Sequence, residues 1–405
     1  MTRQIVVILL TILLVSAGMS TRALAEQKVY TLEDVLDMAE RWNPSVAIIE
    51  ARLKAAKARI VAASAFPNPE VSLESADYPD DYRYSLTIEQ PFEWYKKRAY
   101  RKASSREALG VVEYEKEALM RELKWQIKRA FYRILFVKEE VSLLRESKTV
   151  MEEFLSTVRK RVNAGEDTLF SLLRAQVETM RIEKELKTST QMLHIARTVL
   201  NALLGNRLPN GFELKGDFHI KRKSYEKDEL VEKVLATHPL IKREEKRMKQ
   251  ARLTLLKEKA AVVPDVRLGA GMEREEGVDA TTLGVSLSVP IWYRNRGAIE
   301  EAQAEVVMSE AELRKTRIEL TRETAESYRK YRMALDRVEL FEKGLLKEAQ
   351  EALRIAEKSY RFGETDLLNY LDTQRVQREV LLEYNRALFE LALAMAEIEK
   401  LLGEI

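Results

Sequence analysis

The chain has 405 residues, with 68 Lys and Arg against 65 Asp and Glu, 33% charged side chains, 14 Gly, 9 Pro and no cysteine. The near balance of charge excludes the basic footprint of a nucleic-acid binder. The absence of cysteine excludes disulfides, thiolate metal ligands, a thiol nucleophile and a lipid-bearing N-terminal cysteine.

Arg3 precedes an apolar run from Ile5 to Val15, and Ala23-Leu24-Ala25 supplies a small-residue cleavage site. Residues 1–25 are therefore predicted to be a signal peptide, too short to span a bilayer as a helix. Beyond them no stretch approaches the roughly 20 apolar residues of a membrane helix, so membrane contact would need strands or a surface helix.

The remainder reads as two copies of one unit, 26–220 and 221–405. Tyr30, Pro44, Arg52, Lys54, Ala56 and Pro69 recur as Tyr225, Pro239, Arg247, Lys249, Ala251 and Pro264, a constant offset of 195 residues. Trp94-Tyr95 recurs as Trp292-Tyr293, and Gly165-Glu166 with Leu169, Leu173 and Gln176 recurs as Gly363-Glu364 with Leu367, Leu371 and Gln374, now offset by 198. A unit this long is a duplicated architectural half and not a solenoid repeat.

Each half opens with a short helix, Leu32 to about Ala65 and Asp228 to about Ala261, kinked or begun at Asn43-Pro44 or His238-Pro239. A period-two segment follows. Tyr82, Tyr84, Leu86 and Ile88 alternate with Arg83, Ser85, Thr87 and Glu89 in the first copy, and Leu283, Val285, Leu287 and Val289 with Thr282, Gly284, Ser286 and Ser288 in the second. One β-hairpin is predicted per half, at about 69–91 and about 264–290, with Leu287 in mid-strand. Prolines then vanish from 92 to 208 and from 291 to 405, which leaves room for a long helix pair at about 94–204 and again at about 294–402, each broken once, near Gly165 or Gly363. Ile127, Phe131, Ile134, Val141, Leu144, Met151, Leu155, Val158 and Val162 follow heptad spacing. Ala349, Ala352 and Ala356 make the second seam a small-residue one.

A small sheet on a soluble helical domain is the ordinary account of such hairpins. Strand length, clean separation of faces and aromatics at the strand ends, among them Tyr82, Trp94, Tyr95, Trp292 and Tyr293, favour membrane strands with Leu86, Ile88, Val285 and Leu287 toward lipid. Four strands cannot close a barrel, since the smallest have about eight, so a barrel must be shared between chains. The predicted fold class is mainly α with a transmembrane β-barrel and a long coiled-coil helical part. No catalytic constellation, metal site or cofactor is expected: His194, His219 and His238 are scattered, and Asp80-Asp81 and Glu275-Glu276 fall in hairpin tips.

The signal peptide, the duplicated plan and the Gly-containing turns followed by Leu and Gln resemble the outer-membrane efflux channel family typified by TolC, from about Tyr30 to Leu402. Pro67-Asn68-Pro69-Glu70, Gln90-Pro91-Phe92 and Val289-Pro290-Ile291 leading to Arg294-Asn295-Arg296-Gly297 resemble the outer-membrane partners of Czc-type heavy-metal cation pumps. The resemblance implies a homotrimer sharing a 12-stranded barrel in outer-membrane lipid, helices in the periplasm, a periplasmic adaptor (membrane fusion) protein and an inner-membrane pump of the RND type. It places Gly165, Glu166, Asp167, Gly363, Glu364 and Asp366 in turns at a periplasmic tip. Arg174 and Asp372, equivalent positions of opposite charge, would then meet between repeats as a latch at the aperture. A drug-efflux or type I secretion duct, or a structural periplasmic coiled coil, are the alternatives.

Overall fold

The computed structural model describes residues 29–78, 81–209, 211–218, 222–275 and 277–404. The predicted signal peptide, His219, Asp80 and Glu276 lie outside them. Elements in chain order are β1 (Val29–Tyr30), α1 (Leu32–Trp42), α2 (Pro44–Ser64), β2 (Glu70–Tyr78), β3 (Asp81–Phe92), α3 (Tyr95–Asn163), α4 (Leu169–Leu203), β4 (Glu213–Leu214), α5 (Lys227–Thr237), α6 (Pro239–Ala260), β5 (Val266–Glu275), β6 (Val278–Leu287) and α7 (Arg296–Leu340). A π-helical turn, Phe341–Leu345, then leads to α8 (Leu346–Arg361) and α9 (Leu367–Leu402).

Contacts divide the chain into two compact units. One holds Asn43–Trp125, Lys221–Arg337 and Leu393–Ile405, and the other the described residues of Met1–Trp42 with Gln126–Ile220 and Val338–Ala392.

In the first unit the two hairpins form one antiparallel sheet of order β2-β3-β5-β6. Its helices follow the same order. Arg101 of α3 donates to the carbonyl of Ala63 on α2 at 3.0 Å, Lys246 of α6 pairs with Glu107 of α3 at 3.0 Å, and Arg252 of α6 pairs with Glu310 of α7 at 2.8 Å. Lys97 and the Trp94 amide both reach Asp265, at 2.7 and 3.3 Å, which ties the start of α3 to the base of β5.

Both short helices are split at proline, where an imide without N–H can start a helix but not continue one. The Asn43 side chain caps α2 by accepting from Ser45 N at 2.8 Å, and His238 caps α6 through Nδ1, which accepts from Leu240 N at 3.3 Å. Burial first, then Arg121 and Lys400, pushes the His238 imidazole down to about 4. A buried base with a depressed pKa contributes stability that is full above about pH 6.5 and is lost as pH falls toward 4, because the unfolded chain takes up the proton first. His238→Asn, which copies the first repeat, is expected to flatten that acid-side loss of up to about 3 kcal/mol, read from melting curves at pH 7 and pH 4.5.

The second unit holds the central turns of both long helix pairs. Met151, Val158, Ile182, Tyr360, Leu367, Tyr370 and Leu371 form its core cluster, the heptad seam of α3 meeting α4, α8 and α9. A parallel two-residue pairing, Val29 with Glu213 and Tyr30 with Leu214, also belongs to this unit; segments so short carry no period-two signal. The second long helix was expected to run unbroken to Phe362. It is instead interrupted by the π turn, inside which Gly344 leaves helical geometry with φ 169° and ψ −31°.

Candidate functional site

Strand register sorts the sheet into two chemically distinct faces. Directly opposed residues share a face. Val71, Ile88, Ala270 and Leu283 form one such row, and Leu73, Leu86 and Met272 form the next, ending at Thr281. Leu283 is 85% exposed and Leu73 75%, so the apolar face is uncovered, unlike that of a sheet packed on a soluble core. Its hairpin-tip end turns polar in the row Ser75, Tyr84, Arg274 and Asp279.

The other face carries Glu70, Ser72, Glu74, Arg83, Ser85, Thr87, Glu89, Arg267, Glu273, Thr282 and Ser286. Arg83 pairs with Glu273 at 2.8 Å and Glu275 at 2.7 Å. Arg267 lies 3.7 Å from Glu70 and 4.0 Å from Glu89. Carboxylates outnumber guanidinium groups on this face. Gly271 sits between Thr87 and Thr282, whose hydroxyls would come within 2.9 Å of any Cβ there.

Tyr82, Trp94, Tyr95, Trp292 and Tyr293 are exposed, Trp292 at 97%, and the rings of Trp94 and Tyr95 lie 4.9 Å apart, tilted by 54°. Leu86, Ile88 and Val285 are strand-interior on the apolar face. Leu287 shares that face but is the last residue of β6, opposite Val266, the first of β5. The expectation that it sits mid-strand is corrected: Val289, which continues the alternation, lies beyond the ladder.

The turns between α3 and α4 and between α8 and α9 are built alike. Gly165 and Gly363 have φ of 78° and 74°, and the following Glu166 and Glu364 amides donate back to Arg161 O at 2.9 Å and Ser359 O at 2.8 Å, the glycine-ended helix stop. Thr168 caps α4 through Oγ1, and its equivalent, Asp366, caps α9 by accepting from Asn369 N at 2.9 Å. Asp167 accepts from the Thr168 amide at 2.7 Å, Glu166 reaches Arg161 at 3.8 Å, and Glu364 accepts from Ser359 Oγ at 3.1 Å. The acidic residues of the turns thus have local work. Nothing lies within 4 Å of a Cβ at Gly165 or Gly363. Alanine at either is therefore expected to cost only the left-handed backbone penalty, about 1–2 kcal/mol, measured as faster hydrogen exchange in the last turns of the two helices.

Arg174 and Asp372 line one groove between α4 and α9, but within a chain they do not pair. Arg174 lies 5.4 Å from the ring of Phe170, and Asp372 pairs with Arg375 on its own helix. Just beyond them is a feature that sequence reasoning missed. Glu178 and Arg378, 9% and 5% exposed, form a 3.0 Å ion pair between α4 and α9. The signal was available: Arg378 continues the seam spacing of Leu371 and Gln374.

A family model described as outer membrane efflux protein matches residues 35–206 and 230–404, one match per repeat. The cobalt-zinc-cadmium resistance protein CzcC of Cupriavidus metallidurans is 25% identical over 376 residues, covering 92% of this chain and 90% of that protein. The pyoverdine export outer membrane protein OpmQ of Pseudomonas aeruginosa is 22% identical over 82% of this chain and 72% of its own length. Among solved structures, CusC superposes with a TM-score of 0.80 at 14% identity over 92% of this chain and 91% of its own.

Proposed function

Because the chain belongs to the outer membrane efflux protein family, we propose that it is the outer-membrane exit duct of a tripartite system that expels heavy-metal or other cations. Three copies form the duct, with a periplasmic adaptor and an RND-type inner-membrane pump as partners, and the pump supplies the energy.

The observation that carries this reading is a double openness. The sheet ends in β2 on one side and β6 on the other. The helices beside it end in α2 and α7, each with an unused heptad seam, Ile48, Ala51, Ala55, Ala58 and Ala62 on one and Ala304, Val307, Ala311 and Ile318 on the other. Sheet and helices thus have the same order and the same pair of free edges. A second copy can close both at once, and in lipid an open strand edge is not tolerated. Three copies of four strands give the 12-stranded barrel.

The cation preference rests on the acidic excess of the polar sheet face, which faces the lumen of the duct, and on CzcC as a relative. Export of a small organic molecule, as the name of OpmQ describes for that protein, is the second reading. We read the chain as non-enzymatic. The exposed Arg174 and Asp372 would act between neighbouring copies, where an exposed pair contributes about 0–1 kcal/mol, so Arg174→Ala or Asp372→Ala should lengthen single-channel open time by up to about fivefold for each of the three pairs lost.

The test is a heat-labile trimer in detergent together with zinc, cobalt and cadmium sensitivity of a deletion strain. A conducting monomer would overturn the duct, and unchanged metal tolerance beside lost export of an organic substrate would favour the second reading.

A further inference from the structure

The two helix pairs of one chain meet through contacts whose repeat-equivalents are of a different kind. On the contact inside the chain, the Glu178–Arg378 pair is buried, with Arg181 3.2 Å from Glu178 and Glu185 3.9 Å from Arg378. Beside it the ring of Phe154 lies 5.5 Å from that of Tyr360 and 4.7 Å from that of Tyr370.

In a ring where the two repeats alternate, an offset of 198 turns a contact between the first and second repeats of one chain into a contact between the second repeat of that chain and the first of its neighbour. The equivalents of Glu178 and Arg378 are Val376 and Met180. Those of Phe154 and Tyr370, whose rings meet inside the chain, are Ala352 and Leu172, and that of Leu371 in the same cluster is Leu173. The charge pair and the ring are replaced by aliphatic side chains, and Met180, Leu173 and Val376 are 69%, 52% and 44% exposed in the single chain.

We propose that neighbouring copies meet through this aliphatic seam, Leu173 and Met180 of one copy against Ala352 and Val376 of the next, and that the duct opens along these seams while Glu178–Arg378 keeps each chain's own helix pairs together. The inference rests on the ring reading given above. Its physical basis is the difference between the two boundaries. Parting a buried ion pair passes through geometries in which both charges are separated but not yet hydrated. Parting small aliphatic groups loses attraction smoothly, in proportion to area, and Ala352 adds little of it.

The absence of native cysteine makes the test clean. Met180→Cys/Val376→Cys in the full chain, treated as the detergent-solubilised trimer with a short bis-maleimide, is expected to give covalent dimers and trimers. Large openings in planar bilayers should fall at least about tenfold. Glu178→Met/Arg378→Met, which makes the boundary inside each chain as apolar as the seam, should raise opening frequency by more than about twofold.

Cross-linking confined to single chains within intact trimers would overturn the seam. Cross-linked trimers that open as before, or an unchanged opening frequency for the double Met variant, would overturn the opening route. A protein already monomeric before cross-linking would sink the ring itself, and the seam with it.

Discussion

Leu283→Arg is expected to abolish most outer-membrane yield, whereas Thr282→Arg, one residue away on the same strand, is expected to leave it near that of the parent. Leu283 lies in the interior of β6 on the apolar face, opposite Ala270 and in one row with Ile88 and Val71. A guanidinium there would sit at membrane depth, at a cost of about 2–4 kcal/mol in each copy of the chain. Thr282 points to the other face, opposite Gly271, where Arg83 and Arg267 already stand among carboxylates. The contrast is read as assembled trimer in the membrane fraction. Leu287→Arg should be milder than Leu283→Arg, because Leu287 ends its strand and an arginine there can reach the interface. Equal yields for the Leu283 and Thr282 variants would mean that the uncovered face does not meet lipid.

The two faces were legible because alternation is a strong local signal and the duplication gave it twice. What the sequence could not place was the end of the ladder: Val289 continues the alternation of side chains, yet pairing stops at Leu287, set by the partner strand beginning at Val266. The tip turns were legible for a similar reason. Glycine with a positive φ after a heptad run announces the stop, and the equivalence of Thr168 and Asp366 as caps follows from the offset alone.

The π turn at Phe341–Leu345 had no such announcement. Gly344 is a single glycine inside a helical pattern, where glycine is tolerated as often as it breaks the helix, and Glu146 holds its equivalent position within unbroken α3. The Arg174 and Asp372 expectation shows a different limit. Opposite charges at equivalent positions are visible in the sequence, but each found a partner on its own helix, Phe170 and Arg375, one turn away. The charges that do join α4 to α9 lie on the seam itself and read like interruptions of it.

Those seam charges give the second large effect. Arg378→Met leaves the buried Glu178 with only Arg181 of its own helix, at 3.2 Å, and Glu178→Met leaves Arg378 with only Glu185, at 3.9 Å; each is expected to destabilise the joined helix pairs by about 3 kcal/mol, the low end for a broken buried pair. The double variant should recover most of that loss, since apolar groups of similar volume in place of a buried ion pair are often neutral or stabilising. The three variants therefore separate charge from packing. If packing alone held α4 against α9, the losses would add. If the cost is that of an orphaned buried charge, the second substitution cancels the first. Hydrogen exchange of amides in Leu367–Val380 and Leu169–Ile182 reads the local free energy without requiring the whole trimer to unfold. Fast exchange in both single variants and near-parental protection in the double variant is the expected pattern. A double variant as unprotected as the singles would assign the joint to Phe154, Tyr360 and Tyr370, the rings that remain.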